Sequence, residues 1–116
     1  MTMSIRFELD CLVIELPDVI DIGNEAAVRT ELLHRIRTRP HSTTRIILDL
    51  TAPLATATAI SVVLDAQQAA AERGLLLSVA ATRRLAREPF RVTSADRRCP
   101  VYASLDEALF EGGNTA

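Results

Sequence analysis

RIILDLTAPLATATAISVVLDAQQAAAERGLLLSVA, residues 45–80, decides the fold. Ile46, Ile47, Leu48 and Leu50 form a short β-branched and apolar run, the mark of a strand buried on both faces. Leu75, Leu76, Leu77, Val79 and Ala80 read the same way. Between them Ile60, Val63, Leu64, Ala66 and Ala70 recur close to a 3.6-residue period, which predicts a helix with one apolar stripe. Thr58 is the expected N-cap, and Gly74 the residue just past the end, where φ > 0 costs it nothing. Strand, crossover helix and strand within about forty residues make a βαβ unit and hence two parallel strands.

Outward from this unit, the N-terminal side predicts a hairpin. Ile5, Phe7 and Leu9 alternate with Arg6 and Glu8, the period of a half-buried strand. Asp10-Cys11 is the expected tight connection and Leu12–Leu16 the second strand, ended by Pro17 and Asp18. Asn24 is placed to cap a helix reaching about Arg37, with Ala27, Val28, Leu32, Leu33 and Ile36 on its buried stripe. Residues 38–44 are polar, and Pro40 prevents helix continuation. On the C-terminal side, Ala81–Glu88 predicts a short helix interrupted by Pro89, with Phe90 and Val92 packed back on the core. A polar loop follows over 93–98. Pro100-Val101-Tyr102 is a brief last strand, and Ser104 caps a helix from Leu105 to Phe110 with Asp106 and Glu107 in its first turn. Residues 112–116 are expected to fray, so that one domain spans 1–116 with its core at about 5–110 and a flexible tail over 111–116.

A chain of 116 residues holds one core and is too short for two. Aromatic residues are 3% and tryptophan is absent, so the core must be built from Leu, Ile, Val and Ala. That scarcity, with a net charge of −2, speaks against nucleic-acid binding, which needs basic surfaces or stacking platforms. No run of about eighteen apolar residues predicts insertion in a membrane. Met1–Asp10 lacks the basic-then-apolar layout of a secretion signal, and a cytoplasmic protein is expected. Cys11 and Cys99 have no CxxC spacing and no clustered histidines, so no metal site and no cofactor are expected. Reduced, partly buried thiols are the plain reading; a redox disulfide is the sharper one. His34 and His41 have no partner spacing and read as surface residues.

Catalytic signatures are missing as well. The four glycines are scattered, with no phosphate-binding loop, no nucleophile elbow and no His beside a nucleophile at a telling interval. An enzyme is not expected. Six arginines (83, 84, 87, 91, 97 and 98) gather in the last third, where they read as a solvated face or as a docking surface for an acidic partner.

Asp49-Leu50-Thr51-Ala52, the small-residue turn after it, and Pro-Val-Tyr, one residue, then Ser104-Leu105-Asp106-Glu107-Ala108-Leu109 together resemble the STAS domain, the fold of bacterial anti-sigma factor antagonists. The resemblance covers roughly residues 5–110. It implies a single α/β domain, a small mixed sheet with helices packed mainly on one face. It also implies a binding protein whose partner is an anti-sigma factor that is also a serine/threonine kinase-like protein, met through the start of the central helix. In that family the helix opens Asp-Ser-Ser-Gly-Leu, with a serine phosphorylated by the partner; here the aligned residues are Ala57-Thr58-Ala59-Ile60-Ser61. Thr58 keeps a hydroxyl at the first serine position and is the phosphorylation candidate, with Thr56 and Ser61 behind it. A helix cap worth about 1 kcal/mol is the alternative role for Thr58.

The family's Gly-Glu-Leu-Asp loop falls on Asp18-Val19-Ile20-Asp21, matching at its final Asp. The resemblance thus assigns partner binding to Asp21, Ala55, Ala57, Thr58, Ala59, Ile60 and Ser61, and leaves homodimerisation open. The runner-up is a STAS subunit that docks on a larger signalling or transport-associated assembly without phosphorylation, a reading that the alanines at 57 and 59 favour.

Overall fold

A computed structural model describes residues 3–113. Its strands are β1 (Ile5–Glu8), β2 (Cys11–Glu15), β3 (Arg45–Leu50), β4 (Leu76–Ala81) and β5 (Val101–Tyr102), and its helices α1 (Glu25–Arg37), α2 (Ala57–Ala71), α3 (Arg84–Val92) and α4 (Leu105–Gly113). One sheet runs in the order β1-β2-β3-β4-β5, antiparallel at β1–β2 and parallel from there on. The predicted βαβ unit is its centre.

Because side chains alternate across a strand, the sheet feeds two cores. Leu12, Ile14, Ile46, Leu48, Leu50, Leu77 and Val79 face one side, where α1, α2 and α3 add Val28, Leu32, Val62, Val63, Ala66 and Phe90. Cys11, Val13, Ile47 and Ala80 face the other, covered by Ala108 with Leu105 and Leu109 of α4. Three helices on one face and one on the other is the expected asymmetric layering. Cys11 lies in the smaller core and Cys99 in the larger, so they face opposite sides of the sheet and do not pair. Burial pushes both thiols up, Cys99 to about 12, and they are protonated at neutral pH.

The central helix ends as predicted. Gly74 has φ +72, the Gly74 N–H donates to the Ala71 carbonyl, and the Leu75 N–H reaches back to Ala70, both at 3.0 Å. These are the two bonds of a Schellman motif. At α4, Ser104 Oγ accepts from the Glu107 N–H (3.1 Å) and Glu107 Oε2 accepts from the Ala103 N–H (3.0 Å), a close variant of the capping box.

Several expectations are corrected. The N-cap of α2 is Thr56, and Thr58 is already the second residue of the helix. Asn24 stands at the N-cap of α1 without capping it, because its side chain is turned back into the preceding loop. Ala27 is exposed, and the buried positions of α1 are Val28, Leu32 and Ile36. The hairpin turns at Leu9-Asp10, so Cys11 opens β2. Phe7 and Leu9 are exposed because β1 is an edge strand, with no helix of the described residues closing over it. Ala81 ends β4, and α3 starts later and runs through Pro89. The proline removes the bond to the carbonyl of Leu85, an exposed residue where water can take its place, while buried Ala86 and Phe90 hold the inner face. Val92 faces solvent. The loop 93–98 contains a short 3₁₀ turn, Ala95–Arg97. Finally, α4 continues to Gly113, beyond the predicted end; the rest of the expected tail, 114–116, lies outside the described residues.

Candidate partner-binding site at the start of the central helix

The chain leaves β2 and β3 at the same end of the sheet, and the two following loops, 16–24 and 51–56, meet over the N-terminus of α2. Thr56 joins them. Its extended backbone (φ −81, ψ 162) lets Oγ1 accept from the Ala59 N–H at 2.9 Å while the hydroxyl donates to the Ile20 carbonyl at 2.6 Å. Thr56 is thus bound at both ends, as cap and as staple. Thr51 Oγ1 adds a longer contact to Asp18 Oδ1 at 3.5 Å.

The first loop is held by its own polar groups. Asp21 Oδ1 accepts from the Gly23 N–H (2.9 Å), and the Asp21 N–H donates to Asn24 Oδ1 (2.9 Å). Asn24 Nδ2 donates to the Val19 carbonyl at 2.7 Å. With these bonds made, the loop is fixed so that Val19 and Ile22 project outward. Val19 is 57% exposed, Ile22 85%, and Leu54 of the second loop 60%. Between the loops lies a groove of about 370 Å³ with a mostly apolar lining that includes Pro17, Ile20, Pro53 and Ala59. Val19 and Leu54 both line this groove, so exposed apolar side chains from the two loops lie together there.

Of the residues assigned by resemblance, Asp21, Ala57 and Ser61 are exposed and Ala55 and Thr58 half-buried. Ala59 and Ile60 are 3% and 6% exposed and belong to the core, so neither side chain is available to a partner. They fall on the inner face because the helix starts one residue before Thr58 and its first turn already packs on the sheet. The Thr58 hydroxyl makes no hydrogen bond to the described residues, in contrast to that of Thr56. The first turn of α2 carries no acidic side chain of its own.

Sequence reasoning missed the cap at Thr56 and the exposed apolar side chains of Ile22 and Leu54. Two threonines two residues apart are equally good caps on paper, and the Ile20 carbonyl, distant in sequence, decides between them. For Ile22 and Leu54 a signal existed: large apolar residues in loops, outside any helical or strand period.

Asp49, the first residue of the run that carries the resemblance, lies on the other face of the sheet, level with Glu15 in the β2–β3 ladder. Burial foremost, and then the Glu15 carboxylate, push its pKa above the usual carboxylate value. Among the described residues there is no cluster of three potential metal ligands and no helix long and apolar enough to cross a membrane.

The sequence pattern of the STAS domain matches residues 2–108. No curated protein sequence matches the chain. Among solved structures, an anti-sigma factor antagonist from Mycobacterium paratuberculosis superposes with a TM-score of 0.77 at 19% identity, over 95% of this chain and 92% of the other. SpoIIAA, an anti-sigma factor antagonist in its unphosphorylated form, gives 0.73 at 14% identity over 99% of both chains. A sulfate transporter family protein from Wolinella succinogenes gives 0.74 at 16% identity, over 91% of this chain and 87% of that one. At such identities the likeness is one of fold.

Proposed function

The chain belongs to the STAS domain family, and we propose that it is an anti-sigma factor antagonist-like regulator of transcription. It binds an anti-sigma factor of the kinase-like type through the surface around the start of α2. One observation carries this reading: Val19 and Leu54, from two loops, expose apolar side chains along one groove with Thr56 and Ala59 at the start of α2, and Ile22 is exposed in the first of those loops. Such a surface buries well against a protein, so the role proposed is one of binding, not catalysis.

Phosphorylation at Thr58 is the switch in this proposal. A phosphate adds about −1.5 to −2 charges on the first turn of α2, next in sequence to Ala59 of the groove, where closing an interface would strip its water. The helix dipole tolerates the anion in the free protein, so the modification weakens the complex without unfolding the domain. This reading puts the protein in the cytoplasm.

The second reading is an unswitched STAS subunit of a larger assembly. Ala57 and Ala59, which shrink the helix entrance and remove the family's hydroxyl at 59, favour it, and the transporter-family neighbour illustrates the use of the fold in another setting.

Intact mass of the protein isolated from its own cells, beside a Thr58→Ala variant, tests the proposal. A single phosphate lost in Thr58→Ala, together with a kinase-like partner held only by the unmodified form, supports the switched antagonist. A partner retained with no phosphate on either protein supports the second reading. A phosphate at another residue removes Thr58 from the proposal.

A further inference from the structure

We infer that β1 is a self-association edge, on which a second copy of this chain pairs antiparallel about Phe7. The observation behind it is a mismatch between strand and setting. Phe7 is 55% exposed, and β1 has no neighbour on its outer side among the described residues.

Backbone geometry fixes which groups that edge offers. The Glu15 N–H donates to the Ser4 carbonyl (2.9 Å), so Ser4 and Glu15 form a hydrogen-bonded pair. Bonding alternates along an antiparallel ladder, so Arg6 and Glu8 also face β2 with their backbone groups, whereas Ile5 and Phe7 turn theirs outward. A second strand can therefore pair only with Ile5 and Phe7.

The sequence then selects the register. With the two-fold axis at Phe7, the two Phe7 residues exchange both backbone bonds and their rings meet on one face. Arg6 of each copy stands directly opposite Glu8 of the other. That pair is of the non-hydrogen-bonded type, in which side chains approach most closely. An axis at Ile5 sets Arg6 opposite Ser4 and forms no charge pair, and an axis at Arg6 sets the two arginines opposite each other. Charged side chains on an edge strand normally discourage pairing, and they do so for a second copy only where like charges fall opposite each other. Ile5-Arg6-Phe7-Glu8 carries one charge of each sign, spaced so that a second copy is complementary to it. The Arg6 and Glu8 side chains are 56% and 45% exposed and 3.9 Å apart, an open contact that leaves both heads free to be shared across the axis.

An edge of four residues buries well under the roughly 1,200 Å² of stable interfaces, so the dimer is weak and rises with concentration. Sedimentation velocity from the micromolar to the millimolar range tests it, with circular dichroism as the control for folding. The wild type should shift from monomer to dimer, and added salt should weaken it. Arg6→Glu and Glu8→Arg should each raise the dissociation constant about tenfold or more, because two like-charge pairs replace two opposite ones. The double variant R6E/E8R, with opposite charges again face to face, should recover the dimer. A wild type that stays monomeric throughout overturns the proposal, and so does a dimer that either single charge reversal leaves unchanged. A double variant no better than the singles overturns the Phe7 register.

Discussion

Two threonines two residues apart play different parts, and the difference is measurable. Thr56 caps α2 and ties the first loop to it through Ile20, so Thr56→Ala should cost about 1–2 kcal/mol in urea unfolding. Thr58, half-buried and bonded to no described residue, should cost no more than about 0.5 kcal/mol when changed to Ala. A larger loss at Thr58 would mean that it caps the helix after all. The second residue-scale case is Asp49. Its pKa is raised in the folded protein, so the folded state holds the proton more tightly than the unfolded chain. Stability is therefore lost as pH rises from the ordinary value of 3.8 through the raised one, and stays lost above it. Asp49→Asn removes that loss. The variant should melt higher than the wild type at neutral pH, and the advantage should vanish below pH 3.8, as thermal scans across pH would show. Neither effect was legible in the sequence, because each depends on the fold: on Ile20 brought near Thr56, and for Asp49 on burial first and then on Glu15.

Elements were more legible than their joints. The run Ile46–Leu50 and the 3.6 period of Ile60, Val63, Ala66 and Ala70 declare strand and helix without tertiary help, and Gly74 stops the helix through its own conformational freedom. Pro89 misled because its cost of about 3 kcal/mol is a local figure, and the burial of Ala86 and Phe90 on either side outweighs it. Phe7 misled in the opposite direction: alternation tells which face a side chain takes, not whether anything covers that face. The most consequential unread joint is Arg45. Buried at the start of β3, it donates to the Leu109 carbonyl at 3.0 Å and to Asp10 Oδ1 at 3.2 Å, holding α4 against the sheet from below. Asp10, which also accepts from Thr44, has its carboxyl held below the usual range by these donors, the Thr44 bond foremost. Arg45→Ala should therefore cost roughly 1.5–3 kcal/mol and should speed amide exchange in α4 more than in α2. Arg45→Lys should not restore the loss, since one ammonium cannot reproduce a fork that serves both a carbonyl and a carboxylate.

At the scale of the whole molecule, the two proposed surfaces lie on different parts of the sheet. The start of α2 stands at the carboxyl ends of β2 and β3, whereas the β1 edge is the lateral margin of the sheet, separated from β3 by β2. A pair joined through β1 would carry two partner sites related by its two-fold axis. The proposed site at α2 was half legible: the Asp49-Leu50-Thr51-Ala52 frame pointed to it, but which side chains face outward depends on where the helix starts, and its cap lies two residues before the expected place. Partner binding should accordingly depend on Val19, Ile22 and Leu54 rather than on Ala59 and Ile60. Leu54→Asp, which places a charge in the contact without disturbing the core, should weaken the partner complex at least tenfold by calorimetry, about 1.4 kcal/mol, while melting as the wild type does and keeping the wild-type sedimentation behaviour. Arg6→Glu should do the converse, remaining monomeric yet binding the partner with unchanged affinity per chain. If Leu54→Asp also dissolved the dimer, or Arg6→Glu also lost the partner, the surfaces would be one, and the division of this small sheet into a binding end and a pairing edge would be wrong.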